Sequence, residues 1–426
     1  MSLVAVLASA WICPVRAATG PAVPDLPPPG PPVFRAPVMI GWPAGGAPSA
    51  PPGFIVERFA EGLESPRWIY VLPNDDVLVA QARTEKMGSF SAELNAELTR
   101  QGVFGKSPDN IILLRNSGSG VAQHRFIEGL NQPFGMVLMN GNLLVANTDA
   151  LVRYPYREGQ TRIDAAPEKL LDIPAGGQPG RWNNHWTRNI VASPDRRSLY
   201  LSVGAGTNID KAGNEHPERA AIWRLDADGR GKSIFATGLR NPVGMDFEPL
   251  TGNLWATVNE RDGLGEAVPP DYLTRVVAGA FYGWPYVYFG TYADPTHVKQ
   301  NPERVRLAQR SARVPDLAVG AHSVPLGLLF YRGTQFPERY RRGAFVARRG
   351  GVSRARFIGI DVIYVSFDRG QAEDFVPFLT GFVADYDQGT VHGRPVGLAM
   401  LADGSLLVSD DSAGIIWRVR FTPDSR

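Results

Sequence analysis

Pro395-Val396-Gly397-Leu398 opens a short apolar run, and Ala402-Asp403-Gly404 turns the chain. Leu406-Leu407-Val408-Ser409 follows as a second run, and Ile415-Ile416-Trp417-Arg418-Val419 as a third. Each run has strand length and is too short for a helix. Asp-Gly supplies the backbone angles that a tight hairpin needs. The segment therefore reads as an antiparallel sheet opened by a Pro-x-Gly signal. The same signal recurs at Pro133-Phe134-Gly135-Met136, Pro242-Val243-Gly244-Met245 and Pro325-Leu326-Gly327-Leu328. Pro66-Arg67-Trp68-Ile69 is a related copy, and Thr187-Arg188-Asn189-Ile190 a degenerate one.

Hairpins follow these copies, as in Asn140-Gly141-Asn142 then Leu143-Leu144-Val145-Ala146. Third runs follow at Ile111-Ile112-Leu113-Leu114, Leu151-Val152-Arg153-Tyr154 and Ile222-Trp223-Arg224-Leu225. Repeats spaced by roughly 55 to 85 residues are what a propeller of four-stranded blades requires. The expected fold is all-β, a six-bladed β-propeller over residues 54–421. A large β-sandwich is the competing architecture, but it does not explain why one signal precedes every hairpin.

Two stretches interrupt the rhythm. Thr84 to Asp109 contains Ala92-Glu93-Leu94-Asn95-Ala96-Glu97-Leu98, which reads as helical, and Tyr286 to Ala321 is long and polar. Insertions of this kind map to rim loops, where binding and specificity reside.

The 426 residues carry a formal charge of +2, with acids and bases nearly balanced. That balance gives no footing for nucleic acid or an anionic membrane. Residues 1–18 read as a secretory signal, with an apolar stretch from Leu3 to Pro14 followed by small residues. They imply a periplasmic or secreted protein. The single cysteine, Cys13, lies within that signal. Its removal leaves no disulfide, thiol nucleophile or thiolate metal site. Residues 19–53 are rich in Pro and Gly and read as an extended arm or tether. No later stretch is apolar enough for a transmembrane helix.

Of six histidines, five sit in polar, loop-like settings and read as surface or hydrogen-bonding residues. His185 differs. It lies in Asn183-Asn184-His185-Trp186-Thr187-Arg188-Asn189, just before a first strand, where an imidazole suits a general base or a strand cap. Gly238-Leu239-Arg240-Asn241-Pro242 holds the equivalent place on the next blade. Its Arg suits a ligand oxygen or a tie between blades. Asn259-Glu260-Arg261-Asp262-Gly263-Leu264-Gly265, with Asp271 beyond, reads as a weak oxygen-rich cation motif or a plain acidic turn. Gly393-Arg394-Pro395 adds another Arg to the same rim. Together these loops predict a cationic ring around one axial pocket, suited to an acidic, oxygen-rich ligand.

The runs around His185, Arg240-Asn241, Asn259–Gly265, Tyr282-Gly283-Trp284-Pro285 and Gly393–Gly397 resemble the sorbosone dehydrogenase branch of the soluble quinoprotein sugar dehydrogenases. The likeness runs from about Phe54 to Phe421. It implies pyrroloquinoline quinone (PQQ) and Ca²⁺ as cofactors, a sugar as substrate, and a quinone, cytochrome or dye as electron acceptor. It makes His185 the base and has Arg240 polarise a quinone carbonyl beside Asn241. Arg394 would hold a cofactor carboxylate, and Gln132 would touch the cofactor. The Asp262-Gly263 backbone would approach calcium, and Asp271 would support a structural calcium. The chain departs from the family at Arg349-Gly350-Gly351-Val352-Ser353-Arg354, where the pattern is His-Gly-Ser-Trp-Asn-Arg. Arg348, Arg349 or Arg354 would there replace a cofactor-binding Lys. Asn184 stands where relatives carry an acid. A metal-dependent sugar lactonase and a non-catalytic binding propeller are the alternatives; the arginine-rich ring argues against the first.

Overall fold

A computed structural model describes residues 23–422, apart from residues 89, 119 and 177–182. The expected signal, residues 1–18, lies outside the described residues.

Six four-stranded antiparallel sheets carry the fold. The first comprises Pro66–Val71, Val77–Gln81, Asn110–Asn116 and Val121–Ile127. The second comprises Met136–Met139, Asn142–Ala146, Ala150–Pro155 and Glu168–Asp172. Ile190–Ala192, Ser198–Val203, Ala221–Asp226 and Ser233–Thr237 form the third. The fourth is Pro242–Phe247, Leu254–Val258, Pro270–Arg275 and Leu317–Ala321. The fifth is Pro325–Phe330, Gly343–Arg348, Asp361–Asp368 and Gln371–Leu379. The sixth joins Pro395–Met400, Leu406–Asp410 and Ile415–Phe421 to Phe54–Ala60 from the other end of the chain. The first strands of successive sheets lie against one another, and that of the sixth returns to that of the first. The arrangement is propeller-like, closed by pairing the two ends of the chain.

The Pro-x-Gly signal has a steric cause. Each glycine faces the backbone of the next sheet's first strand, so a side chain there would strike main chain. A Cβ on Gly244 would sit 2.8 Å from the Leu326 carbonyl, and one on Gly397 2.5 Å from the Arg67 carbonyl. Gly135 and Gly327 meet Ile190 and Val396 in the same way. A hydroxyl on the neighbouring strand receives the freed N–H. Thr257 Oγ1 accepts from Gly244 N at 2.9 Å, and Ser409 Oγ from Gly397 N at 2.7 Å. The degenerate third copy solves the same contact with Asn189, whose amide donates to the Val243 carbonyl at 2.9 Å.

Between sheets lie apolar layers, with Trp223, Trp255 and Trp417 fully buried. The arm is extended, as its prolines dictate, but docked rather than free. Gly30 N donates to Leu264 O at 2.9 Å, and Arg35 N to Val352 O at 2.7 Å. Val38–Met39 pairs in parallel with Thr390–Val391, and Trp42 stacks on His392. It therefore crosses loops of the fourth, fifth and sixth sheets.

The first insertion holds a helix, Ala92–Arg100, capped by Ser91. The second holds two helices, Pro295–Gln300 and Pro302–Ser311, the first capped by Asp294.

Candidate active site

The loops that lead into the first strands converge on a cavity of about 200 Å³ at one end of the ring. His185, Arg240, Asn241 and Arg394 all line it, as do Asp262, Asp271 and Arg349. The sequence brings them together because each precedes or follows a strand of the ring at the same end.

His185 is partly exposed, and its Nδ1 lies 2.6 Å from the Ala205 carbonyl. A carbonyl only accepts, so Nδ1 carries the proton and Nε2 keeps a lone pair for the cavity. Burial holds the imidazole well below the usual histidine range, and the guanidinium of Arg240 pushes it further down. Such a ring is neutral near pH 7 and ready to accept a proton. Gly204 makes the arrangement possible. A Cβ there would overlap Asn241 Oδ1 and stand 2.7 Å from His185 Cβ. Gly204→Ala is expected to destabilise the fold by about 1–3 kcal/mol, as overpacking does. Urea unfolding measures it; a variant as stable as the parent would contradict the packing described.

Arg240 is more constrained than the motif suggests. Its Nε donates to Asn208 O at 3.1 Å, and its Nη1 to the carbonyls of Asn259 and Glu260 at 3.0 and 2.6 Å. Its Nη2 donates to Asn208 Oδ1 at 2.8 Å. Only one of its five N–H groups is left for a ligand. Beside it, Asn241 Oδ1 is buried without a hydrogen-bond partner.

Arg394 is fully buried. Its Nε donates to Arg349 O at 3.0 Å and its Nη2 to Gly350 O, while Nη1 is buried with no partner among the described residues. Arg349 Nε donates to Asp411 at 2.7 Å, and Arg67 pairs with the same carboxylate. Arg67 also stands on the wall, although its place in a strand signal does not mark it as a site residue. It packs over Trp186, 5.4 Å from the ring, and its Nε is buried and unpartnered. Burial lowers it to about 10. Asp411 is buried, which opposes its charge, yet Arg349, Arg67 and Arg394 hold it well below the usual carboxylate range. Nearby Asp410 is already spent on Trp42, Trp417 and the backbone of Arg394 and Ala413. Three guanidiniums thus share one available carboxylate. An unpaired buried charge is costly, so this corner is built for an anion.

Two expected cofactor contacts fall elsewhere. Gln132 is not on the cavity wall; its Nε2 donates to Arg83 O at 2.8 Å and its backbone N–H to Asp109. Arg354 is turned away, donating to the Glu266 carbonyl at 2.6 Å and to Ala321 O. Arg348 is paired with Asp361. Of the three fifth-sheet arginines, only Arg349 reaches the cavity.

Asp262 and Asp271, both expected near calcium, reach the cavity wall. Both oxygens of buried Asp271 accept hydrogen bonds, one from Glu260 N at 2.8 Å and the other from Val324 N at 2.8 Å and Ser323 Oγ. The Asp262 carbonyl accepts from Arg261 Nε and Asn208 Nδ2. Gly263, at φ 92°, is not on the cavity wall. Among the described residues no group of three His, Cys, Asp or Glu is placed to hold a metal. Asp271 instead ties the fourth sheet to the loop entering the fifth.

Two further groups emerge only from the structure. His322 is buried, with Nε2 2.8 Å from Gly265 O and Nδ1 3.1 Å from Asp262 Oδ1. Both neighbours accept, so both nitrogens are protonated. Burial opposes that charge, but the Asp262 bond outweighs it and raises the imidazole. Burial likewise opposes the charge of Asp262, and His322 and Arg240 more than offset it, lowering the carboxyl. Glu260 is buried on the wall, and burial pushes it up to about 7 against the pull of Arg240.

The insertions divide their roles. The first supplies an apolar wall through Met87, Phe90, Leu98 and Phe104. The second contributes no wall residue; Asp294 holds Arg261 at 2.5 Å and thereby braces the turn carrying Asp262.

Comparison with known proteins gives a sequence likeness and a fold likeness. A sequence model described as glucose/sorbosone dehydrogenase matches residues 145–353. The resemblance read from the motifs holds. An uncharacterized protein of Borreliella burgdorferi is 29% identical over 240 residues, 56% of this chain and 61% of that protein. The chain thus matches about three fifths of that relative's length. An uncharacterized Synechocystis protein is 26% identical over 314 residues, 65% of this chain and 69% of its own. Among solved structures, the holo PQQ domain of pyranose dehydrogenase from Coprinopsis cinerea superposes with a TM-score of 0.69 at 18% identity. That match covers 88% of this chain and 97% of the domain. The PQQ-bound aldose sugar dehydrogenase of Streptomyces coelicolor gives 0.57 at 16% identity, covering 88% and 100%. At such identities the likeness establishes the fold.

Proposed function

We propose that the chain is a PQQ-dependent dehydrogenase of aldoses or aldehyde sugars, its six sheets being the six blades of a propeller. The observation that carries this reading is the excess of buried guanidinium at the cavity. Arg67, Arg349 and Arg394 surround Asp411, and Nη1 of Arg394 and Nε of Arg67 have no partner among the described residues. PQQ bears three carboxylates, the ligand chemistry such a corner needs. Arg394, Arg349 and Arg67 would hold those carboxylates, with Asn241 and the last N–H of Arg240 at the ring. Asp271 and the Asp262 carbonyl already accept hydrogen bonds within the chain.

When bound, PQQ supplies the two-electron acceptor. His185 Nε2 accepts the proton of the anomeric hydroxyl, and the Ala205 carbonyl keeps the ring in the required tautomer. Arg240, fixed by Asn208, Asn259 and Glu260, presents one N–H without rotamer freedom. The wall from Met87 to Phe104 keeps bulk water from one side of the cavity. Reading residues 1–18 as a secretory leader supports a periplasmic or secreted location. Dye reduction by the purified protein with PQQ and a panel of aldoses tests the activity. No aldose-dependent reduction in the presence of bound PQQ would remove it.

Two pH effects follow. His185 lies below the usual histidine range, so protonation of the base should lower kcat/KM only below about pH 6.5, the ordinary histidine value. Glu260 is neutral below about 7 and anionic above it. PQQ affinity should therefore weaken as pH rises through that value, because a new negative charge faces a polyanion. Glu260→Gln should flatten the dependence; an unchanged slope in calorimetric titrations would exclude Glu260 as its source.

A further inference from the structure

A second cavity of about 230 Å³ adjoins the first and shares Arg67, Thr84, Val103 and Arg349 with it. It adds Arg83, which follows the second strand of the first sheet, and Asp411 and Ser412 from the loop after Leu406–Asp410. Its charges are three guanidiniums against one carboxylate. Asp411 is already taken by Arg67 and Arg349. Arg83 is partly exposed, and its guanidinium makes no hydrogen bond or ion pair among the described residues. Arg67 Nε is buried and unpartnered on the wall common to both cavities. Thr84 Oγ1 accepts from Trp186 Nε1 at 2.8 Å, so its O–H remains to donate. The cavity thus offers donors and net positive charge next to the main cavity.

Arg83 is not on the wall of the main cavity, so the quinone's carboxylates do not account for it. We propose that this side cavity is a subsite for a carboxylate carried by the substrate, and that the protein takes acidic sugars, of which uronic acids are the simplest, over neutral aldoses. The inference rests on the sugar dehydrogenase reading. For a hexuronate, the anomeric O–H proton goes to His185 Nε2 and the C1–H leaves as hydride to PQQ. The product is the lactone of an aldaric acid, and PQQ is reduced by two electrons. Guanidinium to carboxylate pairing in a partly enclosed site supplies the selectivity.

Calorimetric titration of D-glucuronate and D-glucose into the full chain, with and without PQQ, tests the subsite apart from turnover. Glucuronate should bind at least about tenfold more tightly, a gap of 1.4 kcal/mol. Arg83→Gln should close that gap, and Arg83→Lys should keep most of it, while both retain PQQ affinity within about threefold. The kcat/KM ratio of glucuronate to glucose should fall in step in Arg83→Gln. Equal affinity for the two sugars in the parent overturns the subsite, even where PQQ binds and glucose reduces the dye. Loss of PQQ affinity in Arg83→Gln also overturns it, assigning the cavity to the quinone. Failure of PQQ to bind the parent removes the dehydrogenase reading, and the glucuronate titration on the protein alone still decides the subsite.

Discussion

His185→Ala lowers kcat by about 10²–10⁴-fold, the range for loss of a positioned general base, and leaves PQQ bound. The separation follows from the contacts. The ring's one hydrogen bond among the described residues is to the Ala205 carbonyl, and its other nitrogen is the free base. The anion-binding arginines are held by Arg349 O, Gly350 O and Asp411, none of which His185 touches. Removing the ring leaves the Ala205 carbonyl with a second donor, Arg219, at 3.1 Å, so the fold keeps its footing. A variant that binds PQQ and turns over at the parent rate would take His185 out of the reaction.

Arg394→Lys should weaken PQQ binding by about 10–100-fold, the loss of one charge-assisted hydrogen bond at about 1.5–3 kcal/mol. The charge survives, but the fork does not. Arg394 binds the Arg349 and Gly350 carbonyls with Nε and Nη2 and keeps Nη1 for the cavity. An ammonium on a flexible stem cannot serve both carbonyls and a ligand in that geometry. The effect should appear in the dissociation constant and leave kcat at saturating PQQ within about tenfold. Undiminished affinity in a folded variant would mean that this corner does not hold the cofactor.

Much of the architecture was legible because its signal is local and steric. Gly135, Gly244, Gly327 and Gly397 are needed where the next strand's backbone passes, so the repeat shows in the sequence. The closing strand Phe54–Ala60 carries no such mark; its partner, Ile415–Phe421, lies at the far end of the chain. The arm's extension was legible, but its docking was not. Prolines predict extension but are silent on docking, which depends on Arg35, Trp42 and Gly30 meeting distant loops.

Within the site, His185, Arg240, Asn241, Arg394 and Arg349 were found because each stands beside a strand of the ring. Gln132 and Arg354 also stand in ring loops, but nearby carbonyls capture their donors. Asp271 reads as a cation ligand because it follows an acidic loop; that it also accepts from Glu260, Ser323 and Val324 shows only in the fold. Arg67 was visible in its strand signal, yet only the fold sets it against Asp411 and Trp186. His322 and Glu260 owe their states to burial and to partners on other loops. Burial at that distance leaves no local pattern.

Calorimetric titration of PQQ into the purified protein bears most directly on the central claim. A single saturable site that weakens in Arg394→Lys and persists in His185→Ala is the predicted result. A parent protein that takes up no PQQ would contradict it, because the unpaired guanidiniums around Asp411 would then serve another anion.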